Sequence, residues 1–283
     1  MHPVLFQIGG ITIKSYGVAI ALAFLVGILF AAWRAKREKL NPNDFLDIGF
    51  IIVVSSIVGA RIFYILFNLD FYIDNPATII RIWEGGLIFY GGLLCAAVAS
   101  ILYMRFKKIP VWYGTDIIAP SVALGYAITR VGCFLNGCCY GKVCDLPWGV
   151  SGWDPITGAG RYADAQDPQI LITRLLGGEV SEVIKLHPTQ LYASGISLIF
   201  FVVLLILWRK RIFDGMVFWS YVGLYSLYRF GIEFVRADNK ELFLGLTVPQ
   251  LMSVAAFVVA FIALVDLGRR GVLHRKAELV KRK

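Results

Sequence analysis

Four arginines, one glutamate and a tight group of cysteines carry most of the chemistry this 283-residue chain can offer. Arg61, Arg130 and Arg229 each fall near one end of a long apolar run, and Glu233 and Arg236 follow Arg229 at i+4 and i+7. A lone arginine at mid-membrane costs about 2.5–3.5 kcal/mol on the insertion scale, and near the interface it can snorkel to water. Three arginines at one depth, with few carboxylates nearby, leave positive charge in excess. The planar guanidinium fork suits a phosphate or carboxylate held by two oxygens, so the set points to an anionic ligand.

Other polar groups gather at the same end of the neighbouring runs. One run opens with Ser15-Tyr16-Gly17, another with Gly85-Gly86-Leu87-Ile88-Phe89-Tyr90-Gly91-Gly92, and a third with His187-Pro188-Thr189-Gln190-Leu191-Tyr192. Glycines so placed serve either close helix packing or a helix N-terminus that presents its N–H groups to phosphate. A histidine there is either a hydrogen-bonding residue or a base. Cys95 stands alone, whereas Cys133, Cys138, Cys139 and Cys144 follow the spacing C-x4-C-C-x4-C. That spacing matches no common zinc or iron–sulfur pattern, so no metal is expected and a disulfide among the four is plausible. No nucleotide motif is present, and no cofactor is implied.

The elements that must position these residues are membrane helices. The chain is 58% hydrophobic and 17% charged, with a mean hydropathy of +0.70, well away from soluble composition. Runs of about 20 apolar residues predict spans near 16–33, 45–68, 86–104, 112–134, 189–208, 213–234 and 247–267. The net charge of +9 is not a nucleic-acid footprint, because it sits in short clusters between the runs. Basic clusters at 34–39, 105–108 and 209–211, and the tail 268–283, each follow an odd-numbered span. The positive-inside rule makes these segments cytoplasmic. The expectation is an all-α polytopic membrane protein with seven helices, N-terminus outside and C-terminus inside. Residues 135–188, with several prolines and glycines, would form a small extracytoplasmic head. The first run has almost no positive charge before it and reads as a true span rather than a cleaved signal.

On these residues the chain resembles the prolipoprotein diacylglyceryl transferases of the bacterial inner membrane. Arg130-Val-Gly-Cys-Phe-Leu-Asn-Gly-Cys-Cys-Tyr-Gly141 is similar to the family signature. So are the glycine-rich run, Ser15-Tyr-Gly17, Gly59-Ala-Arg61, the His187–Tyr192 segment and Tyr228-Arg-Phe-Gly-Ile-Glu-Phe-Val-Arg236. The resemblance implies transfer of the diacylglyceryl group of phosphatidylglycerol to the lipobox cysteine of a preprolipoprotein signal peptide, with release of glycerol phosphate. It further implies that Arg130 binds the lipid head group and that Arg229 assists the reacting phosphate, with Glu233 and Arg236 completing that helix face. Tyr16, Asn136 and Gly141 match positions the family uses, and Arg61 joins the lipid-binding set. The chain departs from well-known members in three places. Tyr90 stands where they have a histidine discussed as the base, Cys133 where they have asparagine, and Cys138 where they have glutamate. The candidates for the general base are therefore Glu233, Tyr90 and His187. Rival readings are a thiol oxidoreductase built on the cysteines, an anion transporter or channel, and an inactive lipid-binding paralogue.

Overall fold

A computed structural model describes residues 4–8, 11–150, 185–237, 241–243 and 245–281. A short antiparallel hairpin, β1 (Val4–Ile8) and β2 (Ile11–Lys14), leads into α1 (Ser15–Arg37). Then come α2 (Pro42–Leu66), the short α3 (Leu69–Asp74), α4 (Phe89–Phe106) and α5 (Val111–Asn136). After residue 185 follow α6 (Thr189–Arg209), α7 (Met216–Ile232) and a 3-10 turn (Glu233–Val235). A second small hairpin, β3 (Glu241–Phe243) and β4 (Leu246–Thr247), precedes α8 (Val248–Lys281).

All seven expected spans coincide with helices to within a few residues, except at the end of the last. The chain is predominantly helical and polytopic, and among the described residues six helices (α1, α2, α4, α5, α6 and α8) are long and apolar enough to cross a bilayer. The sixth of these runs on to Lys281 instead of ending near 267. Its residues beyond Gly271 carry no proline, and Gly268 and Gly271 let that turn close onto Phe213, 2.6 Å from where a Gly271 Cβ would stand. Most of the expected head, residues 151–184, lies outside the described residues.

The packing is that of a protein in lipid. Large apolar side chains such as Phe50, Leu102, Ile199 and Phe261 face outward, while the buried positions are rich in alanine and serine. Without a hydrophobic drive between helices, association rests on close backbone approach and interhelical hydrogen bonds.

Two compact units are present, residues 1–26 with 119–283, and residues 27–118. In the second unit α2 and α4 meet backbone to backbone. A Cβ on Gly59 would stand 2.7 Å from the Gly91 carbonyl oxygen, and one on Gly92 2.7 Å from that of Ser56. Half of the glycine-rich run is thus a packing surface. In the first unit Ser194 and Ser197 of α6 donate to the Ala127 and Ala123 carbonyls of α5, at 3.0 and 2.8 Å. Ala119, Ala123, Leu204 and Val217 form a core from α5, α6 and α7.

Candidate active site

The signature segment is held from both sides by backbone. Where α5 ends at Asn136, the chain turns through Gly137 to Cys139, and residues 141–144 then run between two other segments. Gly141 N–H donates to the His187 carbonyl (3.0 Å), Lys142 N–H to that of Val235 (2.8 Å), and Cys144 N–H to that of Lys185 (2.9 Å). Gly141 is the residue this arrangement requires. A Cβ there would lie 2.5 Å from His187 Cβ and 2.7 Å from the Val235 carbonyl oxygen.

The segment His187–Tyr192 acts as a clamp on the same turn. Thr189 Oγ1 donates to the Cys139 carbonyl (2.6 Å) and Gln190 Nε2 to the Cys138 carbonyl (2.8 Å). Tyr192 OH accepts from Trp148 Nε1 at 2.8 Å and lies 3.4 Å from His187 Nδ1. Cys139 itself sits at φ +64°, in the left-handed region that non-glycine residues rarely occupy. Such strain persists where the surroundings fix it, and here the two side-chain hydrogen bonds to successive carbonyls do so.

The structure brings Arg130, Arg229 and Arg236 to one region of this unit. Tyr225 lies in the electrostatic field of both Arg130 and Arg229, and Cys139 in that of both Arg130 and Arg236. Arg229 is paired: Nη1 donates to Glu233 Oε2, as the i, i+4 spacing anticipates. The other carboxylate oxygen, Oε1, accepts from Thr247 Oγ1 at 2.8 Å, and Thr247 N–H is in turn bound by Gln250 Oε1 at 2.9 Å. Glu233 is buried, with both oxygens engaged. Arg130 differs. Its guanidinium lies 4.6 Å from the Tyr126 ring centroid, and its buried Nε has no hydrogen-bond partner among the described residues. A buried charged donor without an acceptor is costly in a native fold, and an anion would satisfy it.

The cysteines converge where the sequence spacing gave no warning. Sγ of Cys133, Cys138 and Cys139 all lie within 4.8 Å of one another. All five cysteines are free, so the expected disulfide is not formed. The Cys138 thiol donates to the Cys133 carbonyl at 3.8 Å, and the neighbouring Cys133 and Cys138 thiols, together with the positive charge of Arg236 and Arg130, lower the Cys139 thiol from the usual thiol range. Tyr16 lies within electrostatic reach of these sulfurs and of Arg130, and the Asn136 side chain reaches Cys138.

The unit of residues 27–118 contains the other two predicted site residues. Arg61 is buried, and its donors are taken by backbone: Nε by the Ile79 carbonyl (2.9 Å), Nη2 by Thr78 (2.6 Å), and Nη1 by Gly85 and Gly86 (2.8 and 3.2 Å). It shapes the turn that starts α4. Tyr90 stands half-exposed in the first turn of α4 against Phe89, with ring centroids 5.6 Å apart.

Sequence reasoning missed the tyrosine set and Thr247. Tyr126 and Tyr225 each precede a site arginine by four residues, a repeated spacing that would have placed an aromatic ring one helical turn from Arg130 and Arg229. Tyr126 and Tyr225 meet edge to face at 5.4 Å. Nothing in the sequence marks Thr247, which becomes a partner of Glu233 only because β4 folds back.

The chain is also similar to known proteins. The family model for prolipoprotein diacylglyceryl transferase matches residues 3–266. Proteins named phosphatidylglycerol–prolipoprotein diacylglyceryl transferase are similar along most of their length. One from a Nostoc species is 34% identical over 269 residues, covering 93% of this chain and 88% of the relative. One from Clostridium botulinum is 33% identical over 261 residues (92% and 94%), and one from Geobacter sulfurreducens 32% over 279 residues (96% and 97%). These relatives lend no support to an oxidoreductase or a channel. An apolar helical fold, the arginines gathered beside a clamped signature turn and a match over nearly the whole chain together place this protein in the prolipoprotein diacylglyceryl transferase family.

Proposed function

We propose that this chain transfers the diacylglyceryl group of phosphatidylglycerol to the lipobox cysteine of a preprolipoprotein signal peptide, forming a thioether and releasing glycerol phosphate. The observation that carries the reading is Arg130, whose buried Nε has no acceptor among the described residues, beside the paired Arg229. Its partner would be the lipid phosphodiester. As the thiol sulfur attacks the glycerol carbon, the carbon–oxygen bond breaks and negative charge grows on the departing phosphate. Preplaced guanidinium groups stabilise that charge without reorganising. Arg130 and Arg236 would hold the phosphate, Arg229 would meet the developing charge, and Glu233 with Thr247 would fix the position of Arg229. Tyr16 and Asn136 would border the head group, with Gly141 keeping the signature turn in place. Arg61, in the unit of residues 27–118, would fix the turn before α4. Tyr90, the sequence candidate for the base, belongs to the unit of residues 27–118, and Glu233, with both oxygens engaged, is poorly suited to move the thiol proton.

The same proposal places seven spans in the bacterial inner membrane. α7 has 17 residues, about 26 Å of helix at 1.5 Å per residue, close to the thickness of the hydrocarbon core, and the 3-10 turn extends it. With basic clusters cytoplasmic, the N-terminus lies outside, the C-terminus inside, and Arg130, Arg229 and Arg236 at the outer leaflet. Phosphatidylglycerol could then enter from surrounding membrane lipid, and the signal peptide alongside it.

The test is direct. Purified protein is incubated with phosphatidylglycerol and a synthetic lipobox peptide, and mass spectrometry seeks the diacylglyceryl increment on the cysteine. Modification is expected with the native chain and lost with Arg130→Ala; its absence from a folded native sample that binds the lipid would support an inactive paralogue instead.

A further inference from the structure

We propose that Cys133, Cys138 and Cys139 hold one zinc-class divalent ion, whose open fourth position binds the incoming lipobox cysteine and presents it as a thiolate. The inference rests on the transferase reading of the site and supplies what that reading lacks, a means of removing the thiol proton.

The geometry fits a three-ligand site. Tetrahedral zinc–sulfur bonds of about 2.3 Å place ligand sulfurs about 3.8 Å apart, and these three lie within 4.8 Å of one another. They come from a rigid helix end and a turn that is already fixed. Cys133 belongs to α5, and its carbonyl accepts from Gly137 N–H (2.8 Å) and Cys138 N–H (3.1 Å). Thr189 and Gln190 hold the Cys139 and Cys138 carbonyls, and Cys139 takes a left-handed backbone conformation in this turn. Preorganised ligands of this kind are what a metal site needs.

The electrostatics fit as well. Three thiolates and a divalent ion carry one net negative charge, and Cys139 lies in the field of Arg130 and Arg236. Zinc held by three protein ligands keeps a fourth position for water or substrate, the pattern of catalytic rather than structural sites. Cys144 is not part of the cluster, so the fourth position is not closed by a described cysteine.

The chemistry is S-alkylation. The substrate thiol displaces the metal-bound water and releases its proton to solvent, since a coordinating thiol is deprotonated outright. The sulfur lone pair then forms the bond to the glycerol carbon. The electron pair of the breaking carbon–oxygen bond leaves on the phosphate oxygen, held by the arginines. The product thioether is a neutral, weak ligand; it leaves the metal and water returns.

The test uses the full chain in detergent, stripped of metal with a chelator and reloaded. Zinc content is measured by mass spectrometry, and cobalt is titrated as a spectroscopic substitute. We expect one zinc per chain, a thiolate-to-cobalt charge-transfer band, and a change in that band when lipobox peptide is added. Cys138→Ser and Cys139→Ser are each expected to lose the band, while Cys144→Ser keeps it. Transfer is expected to fall at least a hundredfold in the metal-free protein and to return with zinc. Three results would overturn the proposal: no zinc above the level in the Cys133→Ser/Cys138→Ser/Cys139→Ser protein, a native disulfide among the three, or full transfer by metal-free protein. The last would leave the transferase reading standing. No transfer in either form would sink that reading, and the zinc and cobalt binding data alone would then decide the site.

Discussion

Substituting Glu233 separates a brace from a base. Its side chain is 1% exposed and that of its partner Arg229 17%. Removing one member of a buried pair costs about 3–5 kcal/mol, because the other is left uncompensated. Glu233→Gln keeps an oxygen for Thr247, so the lower end of that range, about 3 kcal/mol, is expected. In a chain of this size each kcal/mol moves the midpoint by about 2–4 °C, so the Tm should fall by about 6–12 °C. Arg229→Gln should cost a similar amount. The double variant removes both charges together and should recover about 2 kcal/mol relative to the sum of the two single changes. Thermal unfolding of all four proteins in detergent, followed by tryptophan fluorescence, gives the coupling, and transfer to a lipobox peptide is assayed in parallel well below the lowest Tm. A brace predicts residual transfer in Glu233→Gln and none in the double variant, which lacks the phosphate-facing arginine. Unchanged Tm with abolished transfer in Glu233→Gln, or strictly additive stability changes, would refute the argument and make Glu233 the base.

Three further outcomes follow from the same structure. Arg61→Lys should be nearly as destabilising as Arg61→Ala in a thermal shift assay, since a single ammonium cannot reach the four carbonyls that Arg61 binds; full rescue by lysine would contradict this. Gly141→Ala should cost about 1–3 kcal/mol through overpacking against His187 and the Val235 carbonyl, seen as a lowered Tm together with reduced transfer. In metal-free protein, iodoacetamide labelling of Cys139 should fall off at lower pH than labelling of a free cysteine peptide, which slows about tenfold per unit below its own titration. The sign follows from its lowered folded-state titration: the thiolate contributes stability above the unfolded thiol value and loses it as pH falls through the folded one. Labelling of Cys139, read by peptide mass spectrometry, that slows as a free thiol does would remove this assignment.

What was legible in the sequence depends on what each feature needs. Spans are visible because the bilayer imposes length and composition on contiguous residues, so even the ends of α5 and α6 fall within two residues of expectation. The Arg229–Glu233 pair is visible because helical spacing alone brings i and i+4 together. The three-sulfur cluster is not, because Cys133 ends a helix while Cys138 and Cys139 return to it through a turn fixed from α6 by Thr189 and Gln190. The role of Arg61 was equally hidden: sequence shows a buried charge near a helix end, and only the fold shows carbonyls in place of an anion. The glycine-rich run carried two readings, and helix packing between Gly59, Gly91 and Gly92 accounts for its second half.

The central claim is that Arg130 binds the phosphate of the lipid whose diacylglyceryl group is transferred. The measurement that tests it most directly is mass-spectrometric detection of the diacylglyceryl increment on a lipobox peptide, with native, Arg130→Ala and Arg130→Lys proteins at matched folding. Loss of one such contact lowers rate by about 10²–10³, so the account predicts modification by the native chain, near-background turnover for alanine and partial recovery for lysine. Native-like turnover by Arg130→Ala would contradict it.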